Sequence, residues 1–165
     1  MTSAVRMDAE IGIVARAVLY DIATGKRRTL PADGLTRLQA QWISPDGSAV
    51  TALTRRGEDE STSGVRWTPA SGWVTITEGD RRPVCGSADG MMIAGGGMGL
   101  GDAFVWESSR GVRTLESLLV ERGVMGGLQG FRPWHVSGVS HDGQVLVGRA
   151  DSDGGQRGFV VALPR

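Results

Sequence analysis

The sequence predicts an all-β protein in which short antiparallel sheets repeat along the chain. Three observations lead there. One turn occurs three times, as Ser44-Pro45-Asp46-Gly47, Ser87-Ala88-Asp89-Gly90 and Ser140-His141-Asp142-Gly143. Each copy is followed by a short apolar run, at 49–53, 91–94 and 145–147. A second apolar run then follows a polar or Gly-rich gap and carries Trp67, Trp106 or Phe159-Val160-Val161. The unit recurs about every 40 to 55 residues, the spacing of architectures that stack one supersecondary unit on the next.

The elements follow in chain order. Residues 11–20 are β-branched and aromatic enough for a strand. A turn at 21–25 and a short return strand at 27–30 complete the hairpin, and 31–34 is a loop. Residues 38–43 enter the first Ser-Pro-Asp-Gly turn and 48–53 leave it. The stretch 55–63 is charged and small, which suits an exposed hairpin loop. Strands at 65–68 and 73–77 flank a turn at 69–72. The second unit repeats this order, with strands at 83–86, 91–94, 103–106 and 112–115 and a Gly-rich loop at 95–101. A helix is expected at 114–122: Thr114 or Ser117 can cap it, and Leu115, Leu118 and Leu119 share one face. Gly123 then supplies the left-handed residue that ends it. Residues 131–139 run into the third turn, and 158–163 form the last strand.

The 165 residues suffice for one domain with a real core. Eighteen basic and eighteen acidic residues cancel, which removes the electrostatic reason to expect nucleic acid or an acidic membrane surface as partner. Lys26 is the only lysine. The 26 glycines, some in pairs and triples, fall between apolar runs as hairpin punctuation without a Gly-X-Y period. Cys85 is the only cysteine, so no internal disulfide forms and either redox compartment is compatible. Arg6, Asp8 and Glu10 interrupt any signal pattern at the N-terminus, and no apolar run approaches the ~20 residues of a membrane span. The chain as written is expected to be cytoplasmic. It would be extracellular or at the cell surface if it is the tail of a longer exported protein.

The string Trp134-His135-Val136-Ser137-Gly138-Val139-Ser140-His141-Asp142-Gly143-Gln144-Val145-Leu146-Val147-Gly148 resembles the HAF-type repeats of bacterial proteins. Those alternate a Val-Ser-x-Asp-Gly-x-x-Val-Val-Gly segment with an Ala-Phe-x-Trp segment. The second segment stands here as Ala103-Phe104-Val105-Trp106, with a worn copy at Gly158-Phe159-Val160-Val161. The opening half, with Tyr20-Asp21-Ile22-Ala23-Thr24-Gly25-Lys26 and Ile43-Ser44-Pro45-Asp46-Gly47, is similar to general β-propeller repeats. The resemblance covers about residues 15–164. It implies an antiparallel β-propeller-like repeat, often in a surface or exported bacterial protein, and brings no catalytic residues. The expected layout is a single domain over 1–165, with a partial blade at 11–30, blades at 37–77 and 82–115, the helix at 114–122 and a last blade at 131–164. That amounts to about three to four blades, fewer than most closed propellers. Either the last and first strands combine to close a small ring, or the chain is the C-terminal part of a larger one. Open blade edges would favour self-association. Trp and Phe on the third strands are expected to wedge between blades.

Candidate chemistry is weighed against plainer readings. Gly95-Gly96-Gly97-Met98-Gly99-Leu100-Gly101 has neither GxGxxG nor a terminal Lys-Ser/Thr, so it reads as a hairpin loop and not a phosphate cradle. Asp151-Ser152-Asp153-Gly154 and Glu58-Asp59-Glu60 offer hard oxygens to calcium but lack a full ligand set; they read as turn and loop tip. His135 and His141 with Cys85 fall short of zinc-ligand spacing. Ser140, His141 and Asp142 are consecutive, which prevents a nucleophile–base–orienter arrangement. Cys85 reads as a small buried residue. The Leu115, Leu118 and Leu119 face reads as packing on a blade edge, not as a docking site. No catalytic residue, metal site or cofactor is expected.

These readings favour a non-catalytic binding or scaffold module that meets a protein, peptide or glycan. One alternative is a propeller-type hydrolase or lyase with a divalent ion at the channel mouth. Another is a truncated, non-functional fragment.

Overall fold

A computed structural model describes residues 3–8, 16–56, 61–97, 102–124 and 130–164. Those residues are mostly antiparallel strand with one short helix, as the sequence predicts. The chain forms two compact units, Met1–Pro83 and Val84–Arg165.

The first unit holds two sheets. The smaller has the order β1 (Ser3–Asp8), β2 (Arg16–Asp21), β3 (Arg27–Thr29). β1 has no counterpart in the sequence expectation, and the rest of the strand expected at 11–20 lies outside the described residues. The larger sheet is a four-stranded meander of β4 (Thr36–Ile43), β5 (Val50–Arg56), β6 (Ser61–Thr68) and β7 (Gly72–Glu78). Trp67 is 2% exposed and packs with Ala17 and Leu30 of the first sheet and Val50, Ala52 and Val65 of the second. It is therefore the wedge between sheets that the pattern predicts.

In the remaining sheet β8 (Arg81–Gly86), whose first residues close the first unit, β9 (Met92–Gly97), β10 (Phe104–Glu107) and β11 (Gly111–Thr114) form one group of strands, and β12 (Arg132–Val139), β13 (Val145–Ser152) and β14 (Gly155–Ala162) form another. A single antiparallel bridge, His135 to Gly96, joins them into one sheet. Helix α1 (Leu115–Glu121) begins at Thr114, whose side chain accepts the Ser117 N–H, and so settles which residue caps it. It ends in a Schellman motif: Val124 N–H donates to Leu119 C=O and Gly123 N–H to Val120 C=O, with Gly123 at φ 68°. Leu115, Leu118 and Leu119 are fully buried in the core of this unit, against Val105, Val136 and Phe159 among others. The helix face is thus core.

The repeat is most visible in the strand register. Val50 pairs Trp67, Ile93 pairs Trp106, and Leu146 pairs Val161, the first residue of each pair lying six residues after the turn serine. Two residues further along, Ala52 pairs Val65, Gly95 pairs Phe104, and Gly148 pairs Phe159. Where the third strand carries Phe, its cross-strand neighbour is glycine; where it carries Val, the neighbour is alanine. The pairing conserves volume, as a close-packed interior requires. Trp106 is only half-buried, and Phe104 on the same strand is the fully buried aromatic there.

The Gly-rich run departs from its expected role. Gly95, Gly96 and Gly97 belong to β9 and are not a loop, while 98–101 lies outside the described residues. A Cβ on Gly96 would overlap the Trp134 carbonyl oxygen and sit 2.9 Å from His135 Cα. The missing side chain lets β12 approach β9, which is what glycine inside a strand commonly allows. Gly148 is similar: a Cβ would overlap the His135 carbonyl oxygen and lie 2.6 Å from Phe159 Cζ.

Gly148→Ala is therefore expected to cost about 1–3 kcal/mol through overpacking. Gly158→Ala, whose Cβ would meet nothing closer than 3.8 Å, serves as the near-neutral control. Urea midpoints of the two variants measure the contrast.

Candidate functional site

Each Ser-x-Asp-Gly turn is closed by one set of bonds. Ser44 Oγ donates to Asp46 Oδ1 at 2.7 Å and accepts the Ala49 N–H at 2.8 Å. Asp46 Oδ1 also accepts the Ser48 N–H at 3.0 Å. Ser87 with Asp89, Met91 and Met92 repeats this, and so does Ser140 with Asp142, Gln144 and Val145. The turn glycines Gly47, Gly90 and Gly143 stand at φ 72°, 63° and 73°, where a side chain would be strained. These carboxylates are exposed, yet their chemistry is already in use. The Ser44 hydroxyl, then the Ser48 amide and hydroxyl, hold the Asp46 carboxyl down to about 2.

The sequence candidates separate accordingly. Ser140 Oγ donates to Asp142 and not to His141, so these three residues form no triad. His135 is half-buried, and burial followed by the charge of Arg149 lowers its pKa, favouring the neutral imidazole. The Cys85 thiol donates to the Ala94 carbonyl at 3.4 Å, lies 3.7 Å from the Val136 carbonyl, and is pushed up to about 12 by burial. Among the described residues no three His, Cys, Asp or Glu side chains gather where they could hold a metal ion. Asp153-Gly154 is the two-residue connection of the β13–β14 hairpin, with Ser152 facing Gly155. Residues 58–60 lie outside the described residues.

Each unit does, however, carry a cleft beside these turns. In the first unit a cavity of about 340 Å³ opens between Asp46-Gly47 and the end of the β2–β3 hairpin. Leu19, Tyr20, Asp21, Lys26, Arg27 and Arg28 complete its wall. Asp21 is tied into its own turn: it accepts the Ala23 N–H at 3.0 Å, the Thr24 N–H at 3.3 Å and the Thr24 hydroxyl at 2.7 Å. The Thr24 hydroxyl is the main cause of its lowered pKa. Arg28 lies over the buried Trp67 ring, 5.0 Å from the centroid, a cation–π contact that fixes it at the wall. In the second unit a cavity of about 190 Å³ lies among Ser87, Asp89, Asp142, Gly143 and Gln144, with Glu107 and Arg122 nearby. Glu107 is paired with Arg113, and Arg122 stands 3.8 Å from it. Gln144 Oε1 is buried there without a hydrogen-bond partner.

Sequence reasoning missed the first cleft because hairpin and turn lie about twenty residues apart and meet only in the fold. One signal was present: Lys26-Arg27-Arg28 is the only run of three cations in the chain.

No family model matches the chain, and no curated protein matches it. Solved structures do. TolB from Acinetobacter baumannii is 19% identical at a TM-score of 0.60, over 98% of this chain and 38% of that one. Hydrazine synthase of Kuenenia stuttgartiensis is 18% identical at a TM-score of 0.52, over 99% of this chain and 56% of that one. At these identities the likeness concerns the fold, and the fold is propeller-like. The chain spans well under two thirds of either structure.

Two measurements check the site chemistry. The Asp46 carboxyl, depressed in the folded state, contributes stability above its ordinary value of 3.8 and loses it as pH falls toward about 2. The stability difference between the native protein and Asp46→Asn should therefore shrink between about pH 4 and 2, in urea titrations at each pH. Cys85 should react with a disulfide reagent at pH 8 only as the protein unfolds, at the rate seen by tryptophan fluorescence.

Proposed function

We propose that this chain is a non-catalytic recognition module of a bacterial β-propeller repeat protein of the HAF type. One observation carries the reading. In all three repeats the serine and aspartate that resemble catalytic groups are bonded to each other in closing turns, which supports a structural role for them behind the clefts. The TolB and hydrazine synthase likenesses support the scaffold and carry no activity to this chain. The partner is a protein, peptide or glycan that fills a cleft beside the turns. No helix among the described residues is long and apolar enough to cross a membrane.

The competing reading is a hydrolase or lyase with a divalent ion at the channel mouth; the second cleft, with Asp89, Glu107 and Asp142 in its wall, is where it is tested. A thermal-shift screen with calcium, zinc and magnesium, run with chromogenic ester, glycoside and uronide substrates, decides between them. The module predicts no metal-dependent shift beyond error and no turnover. A rise of several degrees together with turnover abolished by Glu107→Gln overturns it.

A further inference from the structure

The first cleft holds carboxylates and cations in very different states. Asp21 and Asp46 are engaged by hydroxyls and amides of their own turns. Lys26, Arg27 and Arg28 are all exposed. Among the described residues none of the three makes a salt bridge, although Lys26 lies close enough to Asp21 to act on its carboxylate, and Arg28 rests on the Trp67 face. Three cations against the two ionised carboxylates leave the lining with an excess of one positive charge, with the half-exposed Tyr20 beside it.

The backbone adds a second feature. β3 ends its sheet, and among the described residues it pairs with β2 alone. The Asp21 N–H donates to the Lys26 carbonyl and the Leu30 N–H to the Ala17 carbonyl, both at 2.8 Å. Arg28, midway between these flanking residues and opposite Leu19, is thus the residue of β3 that bonds to β2. The alternation of an antiparallel ladder turns the N–H and C=O of Arg27 and Thr29 outward. A strand edge with outward amides, and cations that outnumber carboxylates beside a cavity, suits one kind of occupant.

We propose that the first cleft takes an acidic peptide segment of another protein, extended along the outer edge of β3. This rests on the recognition-module reading above. The peptide backbone bonds to Arg27 and Thr29, while its Asp or Glu carboxylates reach Lys26 and Arg28 on one face of the sheet or Arg27 on the other. Charge complementarity selects the partner: like edges repel, so the same cations that oppose self-pairing admit an acidic strand. A nucleic acid is disfavoured, because the cations occupy one three-residue strand in a chain of zero net charge and form no extended stripe.

Fluorescence anisotropy with a labelled peptide of about eight residues, alternating Glu and Val, tests this on the whole chain. A Lys/Val peptide and inorganic phosphate are the comparison ligands. The Glu/Val peptide is expected to bind, to weaken with salt, and to weaken about tenfold or more in Lys26→Glu/Arg27→Glu. Thr29→Pro, which removes an outward N–H without changing charge, is expected to weaken it as well. Circular dichroism melts establish that both variants fold; should Thr29→Pro not fold, hydrogen exchange protection of the Thr29 amide on peptide addition replaces it. No binding of the Glu/Val peptide, or binding unchanged by the charge reversal, overturns the proposal. Equal binding of the Lys/Val peptide, or displacement by millimolar phosphate, also overturns it. The recognition-module reading is judged separately by the turnover screen, so an absent peptide signal without turnover removes the acidic ligand and leaves the module.

Discussion

The turn serine is the constraint on which the rest depends. Its hydroxyl accepts the amide five residues on and donates to the aspartate two residues on, in all three repeats. That arrangement fixes where the second strand starts. Side chains alternate across a strand, so a one-residue slip would send Val50, Ile93 and Leu146 to the opposite face. Each such bond contributes only about 0.5–1.5 kcal/mol net, whereas burying one large apolar side chain contributes about 1.5–3. The turn therefore specifies the register, and burial of Trp67, Phe104 and Leu146 stabilises the sheets that the register brings together.

Packing then follows local rules. Phe104 and Phe159 face glycines, and Val65 faces alanine, so each sheet keeps a similar thickness from different residues. The first strands of two repeats also bulge at one place, between Ala40 and Trp42 and between Val136 and Gly138, three residues before the turn serine. A bulge bends a strand and increases its twist. That both strands do so at one offset shows the repeat extending into the irregularities of the backbone.

The same economy shapes what the surface can do. The turns take up the aspartates that a sequence scan finds first, and leave chemistry to the walls between hairpins. The two clefts sit in equivalent places and differ in sign. The first sets Lys26, Arg27 and Arg28 against Asp21 and Asp46; the second sets Glu107, Asp89 and Asp142 against Arg122, with an unpartnered Gln144 oxygen. Cations and carboxylates that cancel in the whole chain are thus separated locally, which the net charge conceals.

Turn positions, most strand positions and the helix were legible in the sequence, because each depends on residues within a few positions of one another. Ser, Asp and Gly at fixed offsets close a turn wherever they occur, and Leu115, Leu118 and Leu119 define a face within one helical turn. The strand character of Gly95 to Gly97 was not legible. Those glycines respond to the backbone of Trp134 and His135, some forty residues later, and composition alone reads them as a loop. The clefts were hidden for the same reason, since Lys26 and Asp46 become neighbours only when two sheets pack. Local chemistry determined which segments turn and which extend; long-range approach decided which surfaces meet, because contact between distant segments depends on packed volume and not on the residues of either segment alone.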